Sequence, residues 1–154
     1  ITRMKLNSLI ILIVILFAVS CGSPNNEEIE AFLSQREEAI EKKDVDSYMT
    51  LIAPEYEVEE GNKTVSREDI KKKFLSNVTL FDTLELTNAN RSIYERDGVI
   101  EVVQFTVVDA SVDETKNRFK MNEKIHLSKI DEKWYIVKES DADFLERFVF
   151  GGSN

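Results

Sequence analysis

Apolar and polar positions change period along this chain, and each change marks an element. Residues 9–19 are an unbroken apolar run, preceded by Arg3 and Lys5 and closed by Ser20 and Cys21. After a short polar stretch, Ile29, Phe32, Leu33, Ala39 and Ile40 fall on one helical stripe, with Arg36 its only charge. Asn25 or Asn26 is placed to cap that helix, and Glu27 and Glu28 suit the positive end of its dipole. Asp44 caps a second, shorter helix carrying Val45, Tyr48, Met49 and Ile52, which stops at Pro54. Residues 56–59 and 63–65 flank Gly61-Asn62 and predict a small hairpin. Ser66, with Asp69 three residues on, opens a third helix that buries Ile70, Phe74 and Leu75.

From Thr79 the period becomes two, predicting strands over residues 80–92, 99–109, 117–130 and 133–140. Asp97-Gly98, a polar loop over residues 111–116 and Asp131-Glu132 join them, and connections this short make consecutive antiparallel neighbours. Residues 99–108 are apolar at nearly every position, which predicts a central strand covered on both faces. In the next strand Phe119, Met121, Ile125 and Leu127 share one parity while Lys120, Asn122, Lys124, His126 and Ser128 take the other, so one face is wet. Residues 140–143 are placed to cap a last helical turn bearing Phe144, Leu145, Phe148 and Phe150, which either closes over the sheet or meets a partner.

The apolar run has the plan of an export signal: a basic start, an apolar centre and small residues before the cleavage point. As a helix, eleven residues span only about 16 Å, roughly half the hydrocarbon thickness of a bilayer, which disfavours a transmembrane reading. Ala18-Val19-Ser20-Cys21 resembles the lipobox of bacterial lipoproteins, although alanine stands where leucine is usual. The resemblance implies a signal peptide over residues 1–20, diacylation of Cys21 as the new N-terminus, a tether over residues 21–26 and one domain over residues 27–150. It also implies a protein held on the exported side of a bacterial envelope membrane through its acylated cysteine.

Charge narrows the partners. The chain carries a formal −9, and its leader holds two basic residues and no acidic one, so the remainder stands at −11. Nucleic acid is an unsuitable ligand, since the densest basic cluster, Lys71, Lys72 and Lys73, is three lysines that read as a solvated helix face. The same excess argues that membrane contact runs through the acylated terminus alone. With Cys21 the only cysteine, the domain has neither a disulfide nor thiol chemistry.

A helical pair, a hairpin, a third helix and a four-stranded antiparallel meander resemble the α+β cone of the nuclear transport factor 2-like (NTF2-like), SnoaL-like superfamily, a cystatin-like arrangement of N-terminal helices on a curved sheet. Residues 39–48 at the helix junction, residues 66–70 opening the third helix and Trp134-Tyr135-Ile136-Val137 on the last strand carry the likeness. These motifs belong to the fold rather than to catalysis. The resemblance implies a pocket between helices and sheet, with Tyr48, Tyr56, Phe105, Phe119, Met121 and Trp134 as lining candidates. It also implies a family whose members include isomerases, dehydratases, binding modules and homodimeric adaptors, so function stays open.

Candidate chemistry is sparse. His126 is the sole histidine, and its parity groups it with solvated residues, so it is expected to face water. No histidine metal site or triad can be assembled from one histidine, Asp44 and Asp46 read as capping and first-turn acids, and neither a metal nor a cofactor is expected. Glu101 and Gln104 interrupt the most apolar strand on opposite faces; a buried Glu101 would be a base, whereas pairing with a lysine or a place near the strand end would make it structural. Arg36 is expected to lay its stem along the core edge with the guanidinium in water, the alternative being an anion-binding group at a pocket rim. The leading expectation is a non-catalytic lipoprotein binding a small apolar ligand or a protein partner. The alternative is an acid–base isomerase or dehydratase using a pocket carboxylate, with Glu101 and His126 as weak catalytic candidates.

Overall fold

The computed structural model describes residues 26–140. The expected leader, Cys21, the expected tether before Asn26 and the phenylalanine-rich segment beyond Ser140, where a last helical turn was expected, lie outside the described residues. Three helices, α1 (Asn26–Glu41), α2 (Val45–Leu51) and α3 (Arg67–Val78), accompany a hairpin of β1 (Glu57–Glu60) and β2 (Lys63–Ser66). The main sheet is a meander of β3 (Thr83–Arg96), β4 (Val99–Val112), β5 (Thr115–Ile130) and β6 (Lys133–Ser140) in sequential antiparallel order. This is the expected α+β architecture of helices packed on one antiparallel sheet.

Local chemistry sets the helix boundaries. Ile29, Phe32, Leu33, Arg36, Ala39 and Ile40 form the buried face of α1. Asp44 accepts from the Ser47 amide at 3.0 Å and caps α2. Ser66 and Asp69 exchange the two bonds of a capping box on α3. Beyond α2, the Ala53 amide donates to the Ile136 carbonyl at 3.0 Å and Ile52 bridges Ile136, which pins the helical layer to the last strand.

The sheet differs from its expected outline in four places. Strand β3 starts at Thr83 rather than Leu80, because residues 80–82 form the turn after α3, and it runs on to Arg96, paired with Val99. The loop over residues 111–116 shrinks to Asp113-Glu114, since Ser111 pairs with Lys116 and Val112 with Thr115. Strand β4 is buried on one face only: Ile100, Val102, Gln104, Thr106, Val108 and Ala110 point inward, while Val103 is exposed and Phe105 and Val107 half-buried on the outside. Its outer apolar residues satisfy β-propensity without being covered. Leu75 is likewise exposed, because the inner face of α3 is taken by Ile70, Phe74, Asn77 and Val78.

Turn and bulge geometry shape the sheet. Asp97-Gly98, Asp113-Glu114 and Asp131-Glu132 all take positive φ at both positions, the backbone of tight type I′ hairpins. Glu114, at φ 66° and exposed, holds a conformation that glycine adopts without strain. Glu114→Gly is expected to raise stability by about 1 kcal/mol, or about 3 °C in melting temperature by calorimetry. Register shifts at Asn88/Asn90 in β3 and opposite His126/Leu127 in β6 mark bulges, which bend their strands. The second bulge also reverses the parity of β6, so that Glu139 turns inward.

Candidate functional site

The inner face of the sheet is not purely apolar. Arg36 projects from α1 into the core at 1% exposure, which corrects the expectation of a solvated guanidinium. It is drawn inward by two carboxylates: Nη2 donates to Glu123 Oε1 and Nε to Glu139 Oε1, each at 2.9 Å. Glu123 sits on β5 between Met121 and Ile125 and is 2% exposed. Its other oxygen accepts from Gln104 Nε2 and the Thr106 hydroxyl, both at 2.7 Å. The second oxygen of Glu139 accepts from the Tyr48 hydroxyl at 2.6 Å, while the Glu139 amide donates to the Tyr56 hydroxyl at 3.2 Å. At the far end, Gln104 Oε1 accepts from Arg91 Nε at 2.8 Å, and Arg91 also pairs with Glu30 and Glu37. A continuous polar line therefore crosses the domain from Arg91 to Tyr48.

Electrostatics fix the protonation states along this line. Burial alone would push the Glu123 carboxyl up, but Arg36 and the donors of Gln104, Thr106 and Arg36 outweigh it and hold it below the ordinary glutamate value. For Arg36, burial works toward loss of the proton, and Glu123 and Glu139 overcome it, leaving the guanidinium more firmly charged than usual. Burial, reinforced by the Glu139 carboxylate, raises Tyr48 well above its ordinary value despite Arg36. Tyr56 is pushed up to about 12, first by burial and then by Glu139 and Glu60. Both phenols stay protonated at neutral pH and act as donors or acceptors of hydrogen bonds rather than as bases.

One end of the line opens into a cleft of about 220 Å³. Arg36, Tyr48 and Glu139 lie along it with Ile40, Val65, Ile70 and Phe74, and Glu60, Asp69, Lys73 and Asn77 complete the lining. Tyr48 stacks on Phe74 with ring centroids 4.3 Å apart. Within the described residues every carboxylate oxygen of Glu123 and Glu139 holds a donor, while Arg36 Nη1 is buried with no protein partner. Arg36 Nη1 is thus a buried donor without a protein partner next to this cleft.

The residues singled out in the sequence separate in space. Tyr48 lines the cleft and Tyr56 adjoins it through Glu139. Phe119 and Met121 are buried in the core, Phe105 lies half-buried on the outer face beneath Lys120, and Trp134 lines a different, shallow groove with Phe32 and Leu51. Glu101 and His126 meet each other on the outer face at 3.1 Å, with Lys124 at 4.0 Å from Glu101. His126 is thus half-buried against a carboxylate rather than turned into water, because Glu101 and His126 are cross-strand partners. Glu123 and Glu139, the inner carboxylates, were not among the expected site residues. Among the described residues no group of three or more histidine, cysteine, aspartate or glutamate side chains is placed to hold a metal ion, and no helix is long and apolar enough to cross a membrane.

Helices laid on a four-stranded antiparallel meander, with a polar cleft between hairpin, helices and sheet, define an α+β cone of the cystatin-like class. The SnoaL-like domain profile matches residues 29–140, and the chain belongs to that family. A cystatin-like protein of unknown function from Nostoc punctiforme shares 19% identity and a TM-score of 0.60, covering 77% of this chain and 90% of its own. A putative dehydratase of the NTF2-like family from Streptomyces avermitilis shares 10% identity and a TM-score of 0.63, over 73% and 91%. A putative calcium/calmodulin-dependent protein kinase II association domain from Xanthomonas campestris shares 17% identity and a TM-score of 0.63, over 76% and 86%. At these identities the likeness is one of fold. A search of curated protein sequences finds no match.

Proposed function

We propose that this protein is a lipid-anchored envelope binding module whose cleft holds a small ligand without transforming it. The observation that carries the reading is the saturation of the buried carboxylates: the oxygens of Glu123 and Glu139 all accept hydrogen bonds, and Glu123 is held ionised as a weak base. A ligand fits if its apolar body lies against Ile40, Val65, Ile70 and Phe74 beside the Arg36, Glu139 and Tyr48 cluster. The volume, below the about 300–1,000 Å³ of drug-sized sites, restricts it to a small molecule. The anchor rests on the lipobox-like residues 18–21.

Native mass spectrometry of the detergent-extracted full chain tests the binding claim. A small molecule is expected to accompany the protein and to be lost in Ile70→Trp, which fills the cleft; an adduct of equal occupancy in that variant contradicts the assignment. For the anchor, Cys21→Ser is expected to abolish incorporation of labelled palmitate, and unchanged labelling refutes it.

A second reading, an acid–base enzyme of the isomerase or dehydratase kind, draws support from the Tyr48–Glu139 pair, a phenol donating to a carboxylate at the cleft wall. It passes the role of base from Glu101, on the outer face, to Glu139. Turnover of a carbonyl substrate that is lost in Glu139→Gln while the fold is retained would establish it over the binding reading.

A further inference from the structure

We propose that a groove beside β6, separate from the cleft, binds a small oxyanion, a phosphate or carboxylate group, between Arg67 and Lys133. Three other arginines of this acidic domain meet carboxylates: Arg36 meets Glu123 and Glu139, Arg91 meets Glu30 and Glu37, and Arg118 meets Asp109. Arg67 is half-buried and meets none among the described residues. Its Nη2 donates to the Met49 carbonyl at 2.7 Å, and its Nε is buried with no protein acceptor. A guanidinium withdrawn from water without a counter-charge is costly, and a bound oxyanion offsets that cost.

The fold builds the groove around this charge. The Met49 carbonyl lies in the last turn of α2, where helix carbonyls lack an intrahelical partner, so Arg67 at the start of α3 is fixed by closing the end of α2. The Ile52–Ile136 bridge then sets that helix end against β6. Between them lies an open groove of about 370 Å³, whose lining joins Arg67 and Lys133 to apolar and hydroxyl side chains and holds no acid among the described residues. Lys133 is exposed, and its ammonium lies 5.1 Å from the centre of the Tyr135 ring, with no carboxylate partner among the described residues. A planar, oriented guanidinium beside a mobile ammonium suits the oxygens of a phosphate or carboxylate. The net negative charge of the domain weakens such a site without abolishing it, since exposed charges farther than about 8 Å are largely screened at physiological salt.

Arginine side-chain NMR of the full chain in neutral detergent tests the proposal, with the Arg67 Nε–H resonance as the reporter. Inorganic phosphate is expected to move that resonance in a saturable way, whereas sodium chloride at equal ionic strength is not. Lys133→Ala, an exposed change outside the core, is expected to weaken the phosphate midpoint about tenfold, the effect of losing one charge-assisted bond. A response of Arg67 to phosphatidylglycerol added to the micelles, with none to free phosphate, also supports the site and assigns the oxyanion to a lipid headgroup. A shift that is linear and equal in both salts overturns the proposal. So does a response confined to Lys71, Lys72 and Lys73, or a phosphate midpoint unchanged in Lys133→Ala.

Discussion

Arg36→Met is expected to destabilise the domain by about 3–5 kcal/mol, a third or more of the whole stability of an ordinary domain. Methionine keeps most of the volume but leaves Glu123 and Glu139 facing each other in the core without their shared cation. The cost arises from those stranded charges more than from the lost bonds, and its pH dependence identifies it. In the native protein Glu123 titrates below its ordinary value of 4.5, so its contribution is fully present above that pH and is lost as the pH falls through the lowered value. Without Arg36, burial dominates and raises the carboxyl, so the sign reverses. The variant is expected to gain stability as the pH falls from 8 toward 5, while the native protein holds level over the same range. Urea unfolding across that interval checks both the size and the sign.

Phe74→Ala is the second large effect, at about 3–5 kcal/mol. The ring is 5% exposed, stacks on Tyr48 and forms one wall of the cleft, so its removal takes away a buried aromatic and about 0.5–1.5 kcal/mol of ring pairing together. Because the new space joins an existing opening, water can enter it, which favours the lower end of that range. Equilibrium unfolding measures the loss. The same change enlarges the cleft beside Tyr48 and Glu139, so the occupancy or mass of the accompanying ligand is expected to change with it. A stability loss with identical ligand occupancy would separate Phe74 from the binding site.

Much of this architecture is written in the spacing of side chains. The stripe of α1, the Asp44 cap of α2, the capping box of α3 and the order of the four strands follow from periodicity and end chemistry. Arg36 was visible as the one charge on an apolar stripe, and a second signal of the same kind lay in β5, where Glu123 shares its parity with Phe119, Met121, Ile125 and Leu127. Two opposite charges, each alone on an inward face, are the sequence trace of a buried ion pair. Solvation of long side chains is the commoner fate of an isolated arginine, and that precedent hid the pairing. Glu139 could not be read in this way. Alternation from Ile136 would turn Lys138 inward, and only the bulge opposite His126/Leu127 brings Glu139 to the core instead. The meeting of Glu101 with His126 was equally hidden, since it depends on strand register rather than on either residue's own pattern.

The proposed binding reading rests on these carboxylates. A carboxylate with both oxygens occupied and a cation at 2.9 Å is a fixed charge, whereas a catalytic base needs a free oxygen and a raised affinity for protons. Titration of the glutamate side-chain carbonyls by carbon-13 NMR, with Glu123 assigned through Glu123→Gln, reads this directly. The arrangement predicts that Glu123 stays ionised to below the ordinary glutamate value of 4.5. A midpoint above that value would contradict it and remove the fixed charge on which the binding reading rests.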